Sequence, residues 1–318
     1  IHDSILYFLR MMGLSVFQKC ERHSLKAASD NTLLYAAISL DVAKWFDHLK
    51  NDLGGKGGTI LSRALEEALG SLPIQDVRRL EDLLAQIGPE LAVLLEWEEG
   101  TPKETASVPS LSLVMQLRDS AKFEMTMEKF FQTLETSGVS SPGKSSNRDA
   151  KISEKQKPPK SRVHSLKGVG ANKDLSLSFA VTDSWAILSF SPSSVEKVLQ
   201  TLEGRQPGLA DQSEFQAASS RLKSDGYLFI YCDQKRLFER AYRLAGLMAS
   251  FANRMTPDLK NYVDLSKLPR SGTVAQHLFP SVYAQGLDRN GTWQSSFGPI
   301  NLSGLSLGLT GAILSQAE

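Results

Sequence analysis

One unit recurs in this chain and constrains it more than any other feature: an apolar strand that stops on an aspartate and runs at once into an amphipathic helix with an early aromatic. The first copy is LLYAAISLD, ending at Asp41 and followed by VAKWFDHLK; the second is SLVMQLRD, ending at Asp119 and followed by SAKFEMTMEKFFQTL. The third is GYLFIYCD, ending at Asp233 and followed by QKRLFERAYRLAGLMASF. A looser fourth copy, SWAILSFSP, puts Ser191 and Pro192 where the others have Asp, and Ser191 is expected to cap the helix that follows. A carboxylate at a helix start accepts bonds from unpaired amides and complements the positive end of the helix dipole, contributing about 1 kcal/mol. Asp41, Asp119 and Asp233 therefore read as caps rather than as a catalytic carboxylate triad. Their long, unequal spacing argues for duplication of an α+β module and against a solenoid.

The remaining pattern fills in a sheet. Two helices are expected at 59–69 and 74–87, with Gly88-Pro89 separating the second from a strand over 90–98 that pairs with 110–119. The runs SRVHSLKGV, LSLSFAVTD and SWAILSFS, joined by short turns at Asn172-Lys173 and Thr182-Asp183, read as an antiparallel meander. Asn290-Gly291 between two alternating runs marks a closing hairpin. The expected class is α+β: antiparallel sheet with helices packed on one face. The expected organisation is an N-terminal helical segment (1–29), a first α+β half (30–137), a flexible basic insertion (138–160), a second half (161–298) and an apolar tail (299–318). The insertion, GVSSPGKSSNRDAKISEKQKPPK, lacks aromatics and reads as a solvated loop, or as a basic segment docked on an acidic surface or lipid headgroups.

Thirty-six basic residues against thirty-five acidic ones leave a net charge of +1, which argues against a dedicated nucleic-acid binder. The two cysteines, Cys20 and Cys232, belong to no CxxC and have no histidine at ligand spacing, so structural zinc is not expected there. Two buried thiols or one disulfide both fit the sequence. The chain begins with Ile, as a processed product or a fragment would, and the apolar run at residues 5–17, interrupted by Arg10, is shorter than the roughly 20 residues a membrane span needs. That run reads as a docked helix or the remnant of a signal or anchor; the uncharged stretch 299–314 reads as a buried strand and loop, an interface, or the start of a membrane-proximal tail.

No motif carries chemistry. Gly54-Gly55-Lys56-Gly57-Gly58 follows a helix and lacks the spacing of a phosphate loop. His2, His23, His48, His164 and His277 fall in no ligand pair, and no GxSxG elbow exists. Glu96 and Glu98 would share a strand face beside Trp97 with Glu99 following, an acidic strand end of the kind that is usually solvated. Trp45, Phe46, Phe123, Phe130, Phe131, Phe238 and Tyr242 lie at helical spacing after the caps, as core residues do; a hollow core lined by them would hold a hydrophobic ligand. The glycosylation-type triplets at Asn290 and Asn301 are near chance in so serine-rich a chain. No catalytic, cofactor-binding or metal-ligating residue is nominated, and no cofactor.

The phrases TLLYAAISLD, LEDLLAQIGPELAVLLEW, LSLVMQLRDSAKFEMTMEKFF, FAVTDSWAILSFSPSSVEKVLQTL and GYLFIYCD, spread over residues 30–245, resemble a family of uncharacterised bacterial exported proteins. That resemblance implies a duplicated α+β domain behind an export signal, and an extracytoplasmic, periplasmic or membrane-associated protein with no assigned reaction. The expectation is a non-catalytic binding or scaffold protein of the envelope whose partner is a protein or a membrane surface. A carrier of a hydrophobic ligand and a hydrolase with a distributed acid/base site are the alternatives.

Overall fold

The computed structural model describes residues 16–52, 77–97, 109–136, 163–167, 176–223, 225–255, 269–288, 291–300 and 302. The glycine-rich stretch 54–58, the helix expected over 59–69, the insertion 138–160 and most of the two apolar ends lie outside them, as do Asn290 and Asn301.

The described strands form one antiparallel sheet. In chain order they are β1 (Thr32–Ser39), β2 (Ile87–Glu96), β3 (Ser110–Leu117), β4 (Val163–Lys167), β5 (Ser176–Val181), β6 (Trp185–Ser189), β7 (Leu228–Cys232), β8 (Ser281–Asp288) and β9 (Gly291–Phe297). Their spatial order is β4-β5-β6-β3-β2-β1-β7-β8-β9. The expected β2–β3 pair, the β4-β5-β6 meander and the β8–β9 hairpin closed across Asp288 and Gly291 are all present. The spans 30–137 and 161–298 both contribute to this sheet: β1, β2 and β3 form its middle, bounded by β6 on one side and β7 on the other. Hairpin β8–β9 is shaped by Gly286, where a Cβ would stand 2.3 Å from the ring of its cross-strand partner Trp293.

Each recurring unit folds as read. β1 leads into α1 (Val42–Asp52), β3 into α3 (Ser120–Thr136), β6 into α4 (Pro192–Leu202) and β7 into α6 (Gln234–Met255); α2 (Val77–Gln86) precedes β2, α5 (Ser213–Ser219) lies between α4 and β7, and α7 (Ser271–Ala275) precedes β8.

The α+β class and the antiparallel sheet are as expected, but the helices cover both faces. On one face, Tyr35, Leu94, Val114, Ile187 and Tyr231 pack with Val195 and Leu199 of α4, with Phe215 of α5 and with Ala27 of a 3-10 helix (His23–Ala27). On the other, Met115, Leu117, Phe179 and Ala186 pack with Val42 of α1 and with Phe123, Met127 and Phe131 of α3. Ile230, Cys232 and Tyr283 continue that second face toward Leu237 of α6. The reason is legible in the strands: β7 reads LFIYC, without a polar alternation, so both of its sides must leave water. Phe46, Phe123 and Phe131 are buried as core residues, while Trp45, Phe130, Phe238 and Tyr242 are half-buried.

Of segment 1–29, residues 16 to 29 run along the sheet end: Phe17 bridges Leu40, the Cys20 amide donates to the Gly226 carbonyl at 2.9 Å, and Val16 is fully buried. Among the described residues no helix is long and apolar enough to cross a membrane.

Candidate functional site

The three aspartates are helix caps in fact. Asp41 Oδ1 accepts from the Lys44 amide at 3.3 Å, Asp119 Oδ1 from the Lys122 amide at 3.0 Å and Asp233 Oδ1 from the Arg236 amide at 2.9 Å. Each acts at its own helix start, and two have further partners. Arg118 reaches Asp41 at 3.2 Å, and the Arg236 side chain donates to Asp233 while its other nitrogen donates to the Asp30 carbonyl at 2.7 Å. Burial opposes ionisation of Asp41, but the Lys44 amide and the Arg118 guanidinium outweigh it and hold the carboxyl below its ordinary value. Ser191 departs from the expectation. It makes no side-chain cap bond; its hydroxyl lies 2.8 Å from that of Ser193, and Pro192 alone sets the helix start.

Two glutamates on β2 carry the polar interior. Positions 90, 92, 94 and 96 share one face, where Ala92 and Leu94 are core and Glu90 and Glu96 are 3% and 4% exposed. Glu90 caps the 3-10 helix from a distance: it accepts from the amides of His23 at 3.0 Å and Ser24 at 2.6 Å and from the Ser24 hydroxyl at 2.5 Å. The Ser24 hydroxyl also lies 2.9 Å from that of Tyr35, a phenol pushed up first by burial. Glu96 accepts from the hydroxyls of Ser29 at 2.5 Å and Thr32 at 3.3 Å. It is thus buried rather than solvated as the strand-end reading expected, because strand parity turns it toward the core and two hydroxyls receive it; Glu98 and Glu99 lie outside the described residues.

Beside Glu96 opens a polar cleft of about 270 Å³, lined by Ser29, Asp30, Asn31, Lys197, Gln206 and Pro207. A hydrolase of the distributed type needs two buried titratable groups converging in such a cleft. Only Glu96 is buried here; Asp30 and Lys197 are half-buried. A second cavity of about 300 Å³, lined by Gln212, Ser213, Glu214 and Arg236, is also polar. Neither is an apolar chamber of the kind that encloses a lipid.

The described histidine side chains stay apart. His23 lends its amide to Glu90, His277 is exposed with its ring 3.1 Å from the Gln276 amide, and His164 stacks on Phe179; His2 and the side chain of His48 lie outside the described residues. Cys20 and Cys232 are free, buried, and packed into clusters on opposite faces of the sheet, which excludes a disulfide between them. Burial, with Glu90 near one and Asp233 near the other, pushes each thiol up to about 11.

The feature that sequence reading missed is an apolar area on the second face that no described helix covers. Leu34, Leu95 and Leu111 lie in register across β1, β2 and β3, and Ala36, Val93, Leu113 and Leu188 form the neighbouring row. The first row leads toward Phe190. All of these side chains are at best half-buried, with Leu111 48% and Phe190 54% exposed. Val93 and Leu95 sit in the gap between the cluster under α3 and the cluster under α6. The signal was present in β2, whose odd-numbered residues Leu91, Val93 and Leu95 are as apolar as its even-numbered ones; sequence does not say which apolar face a helix will cover.

A protein family described as "Protein of unknown function (DUF3352)" matches residues 82–254, more than half of the chain. No curated protein matches it. Among solved structures, "Structure of crystal form I of TP0453" is similar at 11% identity, over 87% of this chain and 79% of that one, with a TM-score of 0.34, a likeness too weak to carry an argument.

Proposed function

We propose that this chain, which belongs to the family described as Protein of unknown function (DUF3352), is a non-catalytic binding protein that takes a partner protein on the open apolar end of its sheet. The observation behind this reading is the row Leu34, Leu95, Leu111 with Phe190 beside it, an apolar surface kept in contact with water. Completing the burial of a half-exposed Leu or Phe is worth about 1 kcal/mol, so a handful of such side chains is enough to seat a partner.

The resemblance to exported proteins supports a place at the bacterial envelope, and the open apolar surface supports a role there as a subunit or partner of a larger assembly. Carriage of a hydrophobic ligand is the second reading, favoured by the same apolar row, and it asks that row to hold a lipid without an enclosing chamber. The experiment compares wild type with the Leu111→Ser/Phe190→Ser double variant, both isolated gently from the native host. The reading expects a stoichiometric protein companion on wild type that the equally folded variant loses. A companion that stays on the variant, or a stoichiometric lipid in its place, contradicts it.

A further inference from the structure

From the juxtaposition of α3 and the edge strand β4, we infer a binding site for a divalent transition-metal ion of the zinc class, made by Glu124, Glu128 and His164. Glu124 and Glu128 are one turn apart on α3, so their carboxylates share one helix face. His164 comes from β4, and the ligand atoms of all three residues lie within 4.8 Å of one another.

Two observations point to an ion rather than to an ordinary ion pair. His164 Nε2 has almost no accessible surface and, among the described residues, no hydrogen-bond partner, although it faces Glu128 Oε1 at 3.8 Å. That distance is too long for a hydrogen bond, yet it lies within the roughly 4.4 Å that two ligands about 2.0–2.2 Å from one shared ion can span at most. The imidazole is also held in place, stacked on Phe179 with centroids 4.6 Å apart and planes 12° from parallel. Two carboxylates at i and i+4 repel each other, and a cation between them removes the repulsion. One nitrogen and two oxygen donors suit Zn²⁺, Mn²⁺ or Fe²⁺; Mg²⁺ and Ca²⁺ prefer an all-oxygen shell. The bound ion would tie β4, at the edge of the sheet, to α3 through side chains that stand half in solvent, leaving coordination positions for water.

The test uses the full chain freed of metal and titrated with Co²⁺, whose visible d–d absorption reports coordination, then with Zn²⁺ in competition. The expected result is one equivalent of Co²⁺ bound with a d–d band, displaced by Zn²⁺ and not by Mg²⁺. Glu128→Gln and His164→Gln should each weaken binding roughly 100-fold or more, beyond the effect of losing an outer-shell partner. Their circular dichroism should match wild type, and His277→Gln should bind as wild type does. Absence of the band from wild type, or a band that survives Glu128→Gln and His164→Gln, overturns the assignment.

Discussion

Leu111 and Phe190 flank the Ser112–Ser189 pair at the same end of β3 and β6, where the Ser189 hydroxyl donates to the Leu111 carbonyl at 2.9 Å. The strands are paired there through Ser112 and Ser189 while both side chains remain about half exposed. Replacing both with Ser should therefore leave the fold standing, at a cost of about 1 kcal/mol for each half-buried side chain. Binding of an apolar dye such as anilinonaphthalene sulfonate should fall markedly in the variant, with its thermal midpoint lowered by only a few degrees.

The three caps should rank by what else depends on them. Asp119 is exposed and serves only its helix, so Asp119→Ala should cost about 1 kcal/mol. Asp233→Ala also strips the carboxylate partner from Arg236, which is half-buried, and should cost about 3 kcal/mol. Urea unfolding of the two variants side by side checks the order.

Because the folded Asp41 carboxyl is held below its ordinary value, its contribution is present above the unfolded pKa, roughly 4, and is lost as pH falls through the folded value. Wild type should be more stable than Asp41→Asn at neutral pH, and the two should converge as the solution is acidified below about pH 4. Denaturant midpoints measured at several pH values give the comparison directly.

Glu90 should be among the most costly residues to lose. Glu90→Ala leaves the amides of His23 and Ser24 without their side-chain acceptor, a loss of about 2–4 kcal/mol. Glu90→Gln keeps an oxygen for the same donors and should recover part of that. Hydrogen exchange at the amides of His23 and Ser24 would show whether the 3-10 helix opens in the alanine variant.

Both thiols should resist an aromatic disulfide reagent in the native protein at neutral pH, since Cys20 and Cys232 are buried and their thiolates disfavoured. Two equivalents should react rapidly on unfolding.

What could be read in advance is local chemistry. Asp41, Asp119 and Asp233 announced their helices because capping needs only a strand end and the next few residues. Asn290-Gly291 announced its hairpin for the same reason. The partners that turn caps into networks, Arg118 for Asp41 and Ser29 for Glu96, are some seventy residues distant in sequence, and only the assembled sheet brings them near. The burial of Glu90 and Glu96 was legible in part, since they share parity with Ala92 and Leu94, but the donors that make burial tolerable were not. The open apolar row was hidden for a different reason: Val93 and Leu95 look like core residues, and what distinguishes them is that no described helix covers them.

A photo-crosslinking residue placed at position 111, with a second protein carrying it at the exposed helical position Glu196 on the opposite face, tests the central claim most directly when both are irradiated in native cells. The account predicts a discrete protein adduct from position 111 that is absent from position 196. Identical adduct patterns from the two positions, or adducts with lipid alone, would contradict it.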